Sequence, residues 1–229
     1  MERYSEITNK NEREIVLLKG FPCKWGKCTF CDYILDNEVS ESVIDDVNKK
    51  VLAQITGKYG VLEVINSGSC FEIPKATLEQ IRDIIHQKGI KKLFLESHWC
   101  YKNKLQEMRA FFGIPIIFKI GVETFDYNFR NKVLNKNAKF KDYKELQTYF
   151  DSPCLMVGIE GQTKEMIAED MAIVEKHFDH ATINVFIENS SGVKRDEVLV
   201  KWFVETYGYL ANDDRFEVLY HNTDFGVGD

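Results

Sequence analysis

Three cysteines stand close together near the start of the chain, in a pattern that favours metal chemistry. Cys23, Cys28 and Cys31 fall within nine residues. In a reducing cytosol, clustered thiols indicate metal binding or catalysis rather than disulfides. Cysteine thiolates hold iron–sulfur clusters, and short spacings let one loop wrap a corner of such a cluster, with Gly26 supplying the backbone freedom of a tight loop. Because no fourth cysteine lies nearby, one iron would stay open to a small molecule.

Structural zinc is the alternative interpretation of this cysteine loop. Zinc usually takes a second pair of ligands, and none of the five histidines has the spacing of a zinc finger. The remaining cysteines, Cys70, Cys100 and Cys154, lie far apart, and we expect all three to be buried small hydrophobic residues.

The elements that must position the loop alternate between apolar, β-branched runs and amphipathic stretches of helix length. The predicted strands are Glu14–Lys19, Val61–Ile65, Lys92–Glu96, Ile116–Val122, Cys154–Ile159, Ala181–Ile187 and Phe216–Tyr220. Predicted helices begin near Ser40, Lys75, Lys102, Asp126, Thr163 and Lys194. Such alternation predicts an α/β fold of parallel strands, either a doubly wound sheet or an open or partial barrel. We expect a single domain over residues 1–229, because the sequence contains no linker and no repeat.

Polar residues follow almost every predicted strand. In both architectures ligands bind where the strands end at their carboxyl termini, so these residues predict one functional face. The strands lead into the cysteine loop, Asn66-Ser67-Gly68-Ser69, Glu96-Ser97-His98, Glu123-Thr124, Glu160, Glu188-Asn189 and His221-Asn222-Thr223-Asp224. An ion pair in the barrel mouth and a ligand contact are equally good interpretations of Glu96 and Glu123, since each carboxylate ends an apolar strand.

Composition narrows the class of partner. The net charge is −6 and no block of Lys and Arg stands out, which makes nucleic acid an unlikely partner and favours a small polar substrate. The start of the chain lacks the pattern of a signal peptide, and no apolar run is long enough to cross a bilayer. We therefore expect a cytoplasmic protein without a membrane partner.

The cysteine loop after the first strand and the Asn-Ser-Gly-Ser segment after the second resemble the radical S-adenosylmethionine superfamily. Phe30, the aromatic before the last cysteine, also matches, although four residues separate Cys23 from Cys28 where the superfamily usually has three. Further along, three segments resemble the subgroup related to the elongator catalytic subunit: Leu95-Glu96-Ser97, Gly121-Val122-Glu123-Thr124 and Arg130–Lys136.

This resemblance implies a partial (β/α)6 barrel in which Cys23, Cys28 and Cys31 hold a [4Fe–4S] cluster. It also implies an S-adenosylmethionine site, with the glycine motif binding the methionine amino group. The residues implied to contact this cofactor are Phe30, Asn66, Ser67, Gly68, Glu96, Ser97 and Glu123. An external one-electron reductant would then start radical cleavage of S-adenosylmethionine, and the resulting 5′-deoxyadenosyl radical would abstract hydrogen from the substrate.

Within the superfamily, the compact size and the lone cysteine loop are similar to those of the queuine lyases of bacterial queuosine salvage. That similarity implies a lyase that cleaves queuine to 7-aminomethyl-7-deazaguanine. Carboxylates could accept hydrogen bonds from a guanine-like edge, and the candidates are Glu160, Glu188, Asp224 and Asp229. Two alternatives stay open: a radical enzyme acting on another metabolite or on tRNA, and a non-enzymatic iron–sulfur or zinc protein.

Overall fold

The computed structural model describes residues 1–228, so Asp229, a predicted substrate residue, lies outside the described residues. The strands are β1 (Tyr4–Ile7), β2 (Arg13–Leu18), β3 (Val61–Asn66), β4 (Lys92–Glu96), β5 (Ile116–Glu123), β6 (Ser152–Val157), β7 (Ala181–Val185) and β8 (Phe216–Leu219). The α-helices are α1 (Glu41–Leu52), α2 (Lys75–Lys88), α3 (Leu105–Phe112), α4 (Tyr143–Gln147), α5 (Lys164–His177) and α6 (Glu197–Tyr207). No helix within this range is long and apolar enough to cross a membrane.

The strands form one sheet in chain order, from β1 to β8. β1 pairs antiparallel with β2, and the pairings from β2 to β4 and from β5 to β8 are parallel. A doubly wound sheet would reverse its strand order at a switch point, whereas parallel strands in chain order are the arrangement of a barrel. The predicted α/β fold with a partial barrel of parallel strands is therefore confirmed.

The chain divides into two compact units. The first contains residues 1–26, 33–118 and the described chain from Phe225 onward; the second contains residues 27–32 and 119–224. In the first unit, the parallel register pairs Leu18 with Asn66, so the end of β2 lies beside the end of β3. The cysteine loop and the glycine motif therefore start from neighbouring strands. One domain over residues 1–229 stays a prediction.

The second unit is built on β6, which is buried along its whole length. A β-strand buried on both faces needs cover from helices, and α5 and α6 both contact β6. Each of these helices begins with a side-chain cap. Thr163 accepts a hydrogen bond from the N–H of Met166 and Asp196 accepts from two N–H groups of α6, which satisfies donors that a helix leaves open. The predicted start of a helix near Thr163 is confirmed.

Most differences from the predicted elements are shifts of one to three residues. The chain after β4 first forms a 3-10 helix at Trp99–Lys104, and α3 follows it. Beyond Asp126 the chain forms a π-helix, Phe129–Val133, rather than an α-helix. Among the described strands and α-helices, the edge strand β1 and the short helix α4 were not predicted.

Candidate functional site: the cysteine loop and the strand ends

The first part of the cysteine loop lies in the first unit and is held by hydrogen bonds. The N–H of Cys23 donates to Oδ1 of Asn37 over 3.0 Å, and the Nδ2 of Asn37 donates to the carbonyl of Ser67 over 3.2 Å. Gly26 has a φ of +54° and its N–H points at the Cys23 sulfur, 3.4 Å away. Hydrogen bonds to cysteine sulfur are among the features by which proteins tune an iron–sulfur cluster.

The second part of the loop, with Cys28 and Cys31, belongs to the second unit. The N–H of Cys31 donates to the carbonyl of Cys28, which closes a turn between the two thiols. Thr29 binds the chain after the π-helix, with its N–H on the carbonyl of Leu134 at 3.0 Å. Both cysteines pack against an apolar cluster whose buried members are Phe30, Phe129, Leu134, Met156, Ile159 and Phe186. This cluster shields one side of the two thiols from water.

Phe30 is a buried member of this apolar cluster, and the two neighbouring cysteines of the loop pack against the same cluster. Its carbonyl accepts a hydrogen bond from Nδ2 of Asn189 at 2.9 Å, and the Nζ of Lys136 lies 5.6 Å from its ring centroid. Because Phe30 packs in the core of the second unit, it fixes the backbone of the loop. A contact of its ring with the cofactor stays a prediction.

The thiols of the loop suit an iron–sulfur cluster. None of the six cysteines forms a disulfide, and Cys23, Cys28 and Cys31 are all half-buried, which leaves their sulfur atoms within reach. Within residues 1–228, no group of three or more His, Cys, Asp or Glu side chains is arranged around a single metal ion. Each cysteine of a four-iron cluster binds a different iron, so such a cluster takes thiolates that stand further apart than the ligands of one ion.

The glycine motif follows β3 in the first unit. Asn66 is buried, and its Nδ2 donates to the carbonyl of Ser69 at 3.2 Å while its own carbonyl accepts from the N–H of Gly68 at 2.7 Å. A side chain on Gly68 would overlap the carboxylate of Glu72, so glycine is required there. The result is a tight turn in which Ser67 and Gly68 are half-buried. A glycine backbone can approach a ligand closely, because it has no side chain.

Glu96 and Ser97 at the end of β4 lie next to the glycine motif. The N–H of His98 donates to Oγ of Ser69 over 2.8 Å, and Ser97 is buried. Within the first unit, the structure thus brings together Cys23, the glycine motif and the end of β4. This is the arrangement that the rule about strand ends predicts, and the cofactor contacts of these residues stay predictions.

Glu123 ends β5 in the second unit with a φ of +64°. Its carboxylate forms a nearly buried ion pair with Lys136, Nζ to Oε1 at 2.6 Å. Glu123 therefore forms an ion pair, which is one of the two interpretations that the sequence offered for it. A side chain on Gly121 would come within 2.6 Å of both charged groups, so the glycine makes room for the pair.

Two of the predicted substrate residues, Glu160 and Glu188, both form a hydrogen bond with Lys194. The N–H of Glu160 donates to the carbonyl of Lys194 over 2.9 Å, and the Nζ of Lys194 lies 3.0 Å from the carboxylate of Glu188. Hydrogen bonding to the N–H of Arg195 and the side chain of Lys194 holds the pKa of Glu188 below its usual range. Both carboxylates are exposed.

Asp224 is engaged locally instead. One of its carboxylate oxygens accepts from the N–H groups of Tyr220 at 2.6 Å and His221 at 2.9 Å, which closes a turn after β8.

The prediction for the remaining cysteines was partly wrong: Cys70 and Cys154 are buried, but Cys100 is exposed. Cys100 lies in the 3-10 helix after β4, where the chain has left the sheet for the surface.

Sequence reasoning missed Asn37, Glu72 and Lys136. A signal for Glu72 existed, because Ser69-x-x-Glu72 has the spacing of a capping box, and the structure contains that box. No local pattern indicates Asn37 or Lys136, whose partners lie far away in sequence.

Comparisons with known proteins support the resemblance found in the sequence. No family model matches the chain. An uncharacterized protein of Methanocaldococcus jannaschii, MJ0550, is 26% identical over 127 residues, which cover 49% of this chain and 35% of that relative. A radical S-adenosylmethionine methyltransferase of Kitasatospora setae, TsrM, solved with cobalamin and a [4Fe–4S] cluster, is 10% identical with a TM-score of 0.44, covering 73% of this chain and 36% of that one.

A solved queuine lyase from Clostridium spiroforme, bound to S-adenosylmethionine and queuine, is 56% identical to the chain. The match covers 100% of both chains with a TM-score of 0.99. Because the match covers the whole chain, it includes the cysteine loop and the strand ends described above. The chain belongs to the family of queuine lyases, as its resemblance within the radical S-adenosylmethionine superfamily predicts.

Proposed function

We propose that this protein is a radical S-adenosylmethionine enzyme that cleaves queuine to 7-aminomethyl-7-deazaguanine. The observation that carries the proposal is the full-length similarity, at 56% identity, to a queuine lyase bound to both S-adenosylmethionine and queuine. Cys23, Cys28 and Cys31 would hold a [4Fe–4S] cluster. When bound, the cluster and S-adenosylmethionine together supply a 5′-deoxyadenosyl radical for hydrogen abstraction from the substrate.

The first unit would hold S-adenosylmethionine next to its cluster ligand. The backbone at Ser67 and Gly68 offers hydrogen-bonding groups beside Cys23, because Asn37 joins the two segments. The methionine part of the cofactor carries an amino group and a carboxylate, which such backbone groups and the polar side chains of Asn66 and Ser97 can orient.

In the second unit, the loop from Glu188 to Lys194 and the end of β6 offer acceptors for a guanine-like edge. Glu188 is ionised at neutral pH, as an exposed glutamate is, and its hydrogen bonds favour this form further by lowering its pKa. An ionised carboxylate accepts hydrogen bonds from N1–H and the exocyclic amino group. Glu160 is joined to the same lysine by its backbone N–H, which donates to the carbonyl of Lys194. We propose both as substrate residues, and with them Asp224 and Asp229. An external one-electron reductant completes the proposed reaction.

The test is anaerobic reconstitution with iron and sulfide, followed by incubation with S-adenosylmethionine, dithionite and queuine. Mass spectrometry should detect 5′-deoxyadenosine and 7-aminomethyl-7-deazaguanine as queuine disappears. Formation of 5′-deoxyadenosine while queuine survives would reject queuine and leave a radical enzyme for another metabolite or for tRNA. A cluster that never supports cleavage of S-adenosylmethionine would favour a non-enzymatic iron–sulfur protein.

A further inference from the structure

Glu72 is a buried carboxylate that receives hydrogen bonds from two distant segments of the first unit. One oxygen accepts from the N–H of Ser69, within the glycine motif. The other accepts from the N–H of Lys24, next to Cys23, at 2.8 Å, and from the hydroxyl of Tyr101 at 3.2 Å. Its exposed fraction is 6%. Lys24 and Glu72 are separated by 48 residues, so the contact links two separate parts of the chain.

The backbone of Glu72 reinforces the same link. Its carbonyl accepts from the N–H of Phe21 at 2.8 Å, so both the side chain and the main chain of this residue bind the segment that carries Cys23. In a capping box, the only hydrogen bond required of the carboxylate is the one from the N–H of Ser69. The additional bonds to Phe21 and Lys24 go beyond a cap and tie the cysteine segment to the glycine motif.

Gly68 shows that the position of this carboxylate is built into the motif. Any side chain on Gly68 would overlap Oε2 of Glu72 and approach the Cα of Cys23 to 3.5 Å. Three groups thus meet in one small space: the turn of the glycine motif, the carboxylate and the backbone of the first cluster ligand. A shift of Glu72 would move the other two.

We propose that Glu72 is a positioning residue that holds the Cys23 segment and the Asn66–Ser69 motif in a fixed relation. The inference rests on the proposed function, because these two segments are the ones proposed to hold the cluster and the amino group of S-adenosylmethionine. Glu72 acts through its hydrogen bonds and touches neither substrate nor cluster. Replacing it by glutamine would turn an acceptor oxygen into an NH₂ group facing an N–H donor, which opens one side of the link.

The chain contains a matched control in the same unit. Glu14 is also a fully buried carboxylate, and it accepts from the N–H groups of Thr56 at 2.6 Å and Gly57 at 2.8 Å and from the hydroxyl of Tyr4 at 2.9 Å. It therefore makes the same kinds of bonds as Glu72, two from backbone and one from tyrosine, with a fourth from the hydroxyl of Thr56 at 3.0 Å, and all of them lie away from the cysteine loop. A purely structural effect of losing such a carboxylate should appear equally in Glu14→Gln.

The experiment measures alkylation of individual cysteines by iodoacetamide in the full-length chain before reconstitution, read by mass spectrometry. Cys23 is half-buried, so its rate reports a change in the exposure of its thiol when its segment shifts, and the buried Cys70 reports global unfolding. In Glu72→Gln, the ratio of the Cys23 rate to the Cys70 rate should rise at least about fivefold, as expected for the loss of a hydrogen bond to a charged group. The ratio should stay unchanged in Glu14→Gln.

Tyr101→Phe provides a milder variant if Glu72→Gln does not fold. It removes one donor to Glu72 and keeps the aromatic ring stacked on Phe71, whose centroid lies 4.8 Å away. A smaller rise in the same ratio is expected. The proposal would be overturned if the ratio is unchanged in both Glu72→Gln and Tyr101→Phe, or if it rises as much in Glu14→Gln as in Glu72→Gln.

The alkylation result does not depend on turnover, so it separates this proposal from the proposed function. After reconstitution, Glu72→Gln should bind S-adenosylmethionine about tenfold more weakly per mole of cluster than the Glu14→Gln control. If the wild-type enzyme fails to consume queuine, queuine is rejected as the substrate. The ratio of the Cys23 and Cys70 alkylation rates still decides the role of Glu72.

Discussion

The ammonium of Lys136 lies 2.6 Å from Oε1 of Glu123, at the end of β5 where Glu123 has a positive φ. Both side chains are largely shielded, with exposed fractions of 14% and 8%. The same ammonium lies 5.6 Å from the ring centroid of Phe30, between two cysteines of the loop. One lysine, 13 residues after the strand end, therefore neutralises the strand-end carboxylate and also contacts the ring of the cysteine loop.

Removal of Lys136 should lower the free energy of unfolding by more than the loss of a surface ion pair does. Lys136→Met leaves the Glu123 carboxylate shielded from water without its cation, and breaking such a pair from one side typically costs about 3 kcal/mol. We expect a decrease of that order in the free energy of unfolding, measured by urea denaturation. The double variant Lys136→Met/Glu123→Gln should recover part of the loss, since it removes the uncompensated charge.

A control for this prediction is Lys201→Met, which breaks an exposed pair with Glu205 on α6. Exposed pairs contribute little, so its free energy of unfolding should change by less than about 0.5 kcal/mol. Equal effects of Lys136→Met and Lys201→Met would contradict a structural role of the Lys136–Glu123 pair.

Asp170 on α5 should make stability depend on pH. Burial raises the pKa of Asp170 from its ordinary value of 3.8 to about 7, although its carboxylate accepts from the N–H of Phe125 at 2.6 Å. Between these two values the folded state holds a proton that the unfolded state has released. The stability contributed by this proton is complete below the unfolded pKa and is lost as the pH rises through about 7.

Urea denaturation of the wild type and Asp170→Asn at pH 5 and pH 8 measures this effect. The wild type should lose stability relative to the variant between these pH values, by an amount on the order of 2 kcal/mol. Groups shared by both proteins cancel in the comparison. Glu205→Gln, which changes an exposed carboxylate on α6 that does not shift the pKa of Asp170, should track the wild type. Parallel pH profiles for Asp170→Asn and the wild type would reject the raised pKa.

The sequence predicted the parallel strands because they are apolar runs that are mostly buried, and β6 is buried along its whole length. It missed β1, whose residues Tyr4–Ile7 are only partly buried and pair at the sheet edge. A short edge strand of mixed polarity carries no periodic signal, since its partner supplies the register. The 3-10 helix after β4 was similarly hidden, because helix periodicity does not distinguish its type.

Within the candidate site, the motifs were predictable and the links between them were not. The cysteine loop and the glycine motif are recognisable from residue types within a few positions. The residues that connect them, Asn37 and Glu72, depend on contacts across 30 and 48 residues. Lys136 likewise contacts Glu123 because the π-helix between them in sequence folds the chain back. Such contacts arise from tertiary packing, which residue spacing alone does not encode.

Glu188→Gln should weaken the binding of queuine while leaving the cluster intact. The glutamine keeps one acceptor oxygen for the N–H of Arg195 but loses the charge that favours a guanine-like edge. At an exposed position we expect a loss of affinity of about fivefold, which corresponds to roughly 1 kcal/mol. Isothermal titration of the anaerobic, reconstituted protein with queuine measures it.

Glu205→Gln provides the matched control for Glu188, because it is an exposed carboxylate in the same unit that pairs with a lysine. Its affinity for queuine should equal that of the wild type, and iron content should be normal in both variants. Unchanged affinity in Glu188→Gln would remove Glu188 from the substrate residues.

Cys28→Ala should abolish both the cluster and the cleavage of S-adenosylmethionine. Cys28 packs against the apolar cluster of the second unit, and its removal would leave a second iron without a protein thiolate. We expect iron and sulfide to fall from about four each per chain to below about one after anaerobic reconstitution, with loss of the cluster absorbance. Cys100→Ser, which changes an exposed thiol outside the loop, should retain the full content and form 5′-deoxyadenosine at the wild-type rate. A complete cluster with normal turnover in Cys28→Ala would exclude Cys28 as a ligand, and an equal loss in Cys100→Ser would show that the thiols of the loop are not sufficient to hold the cluster.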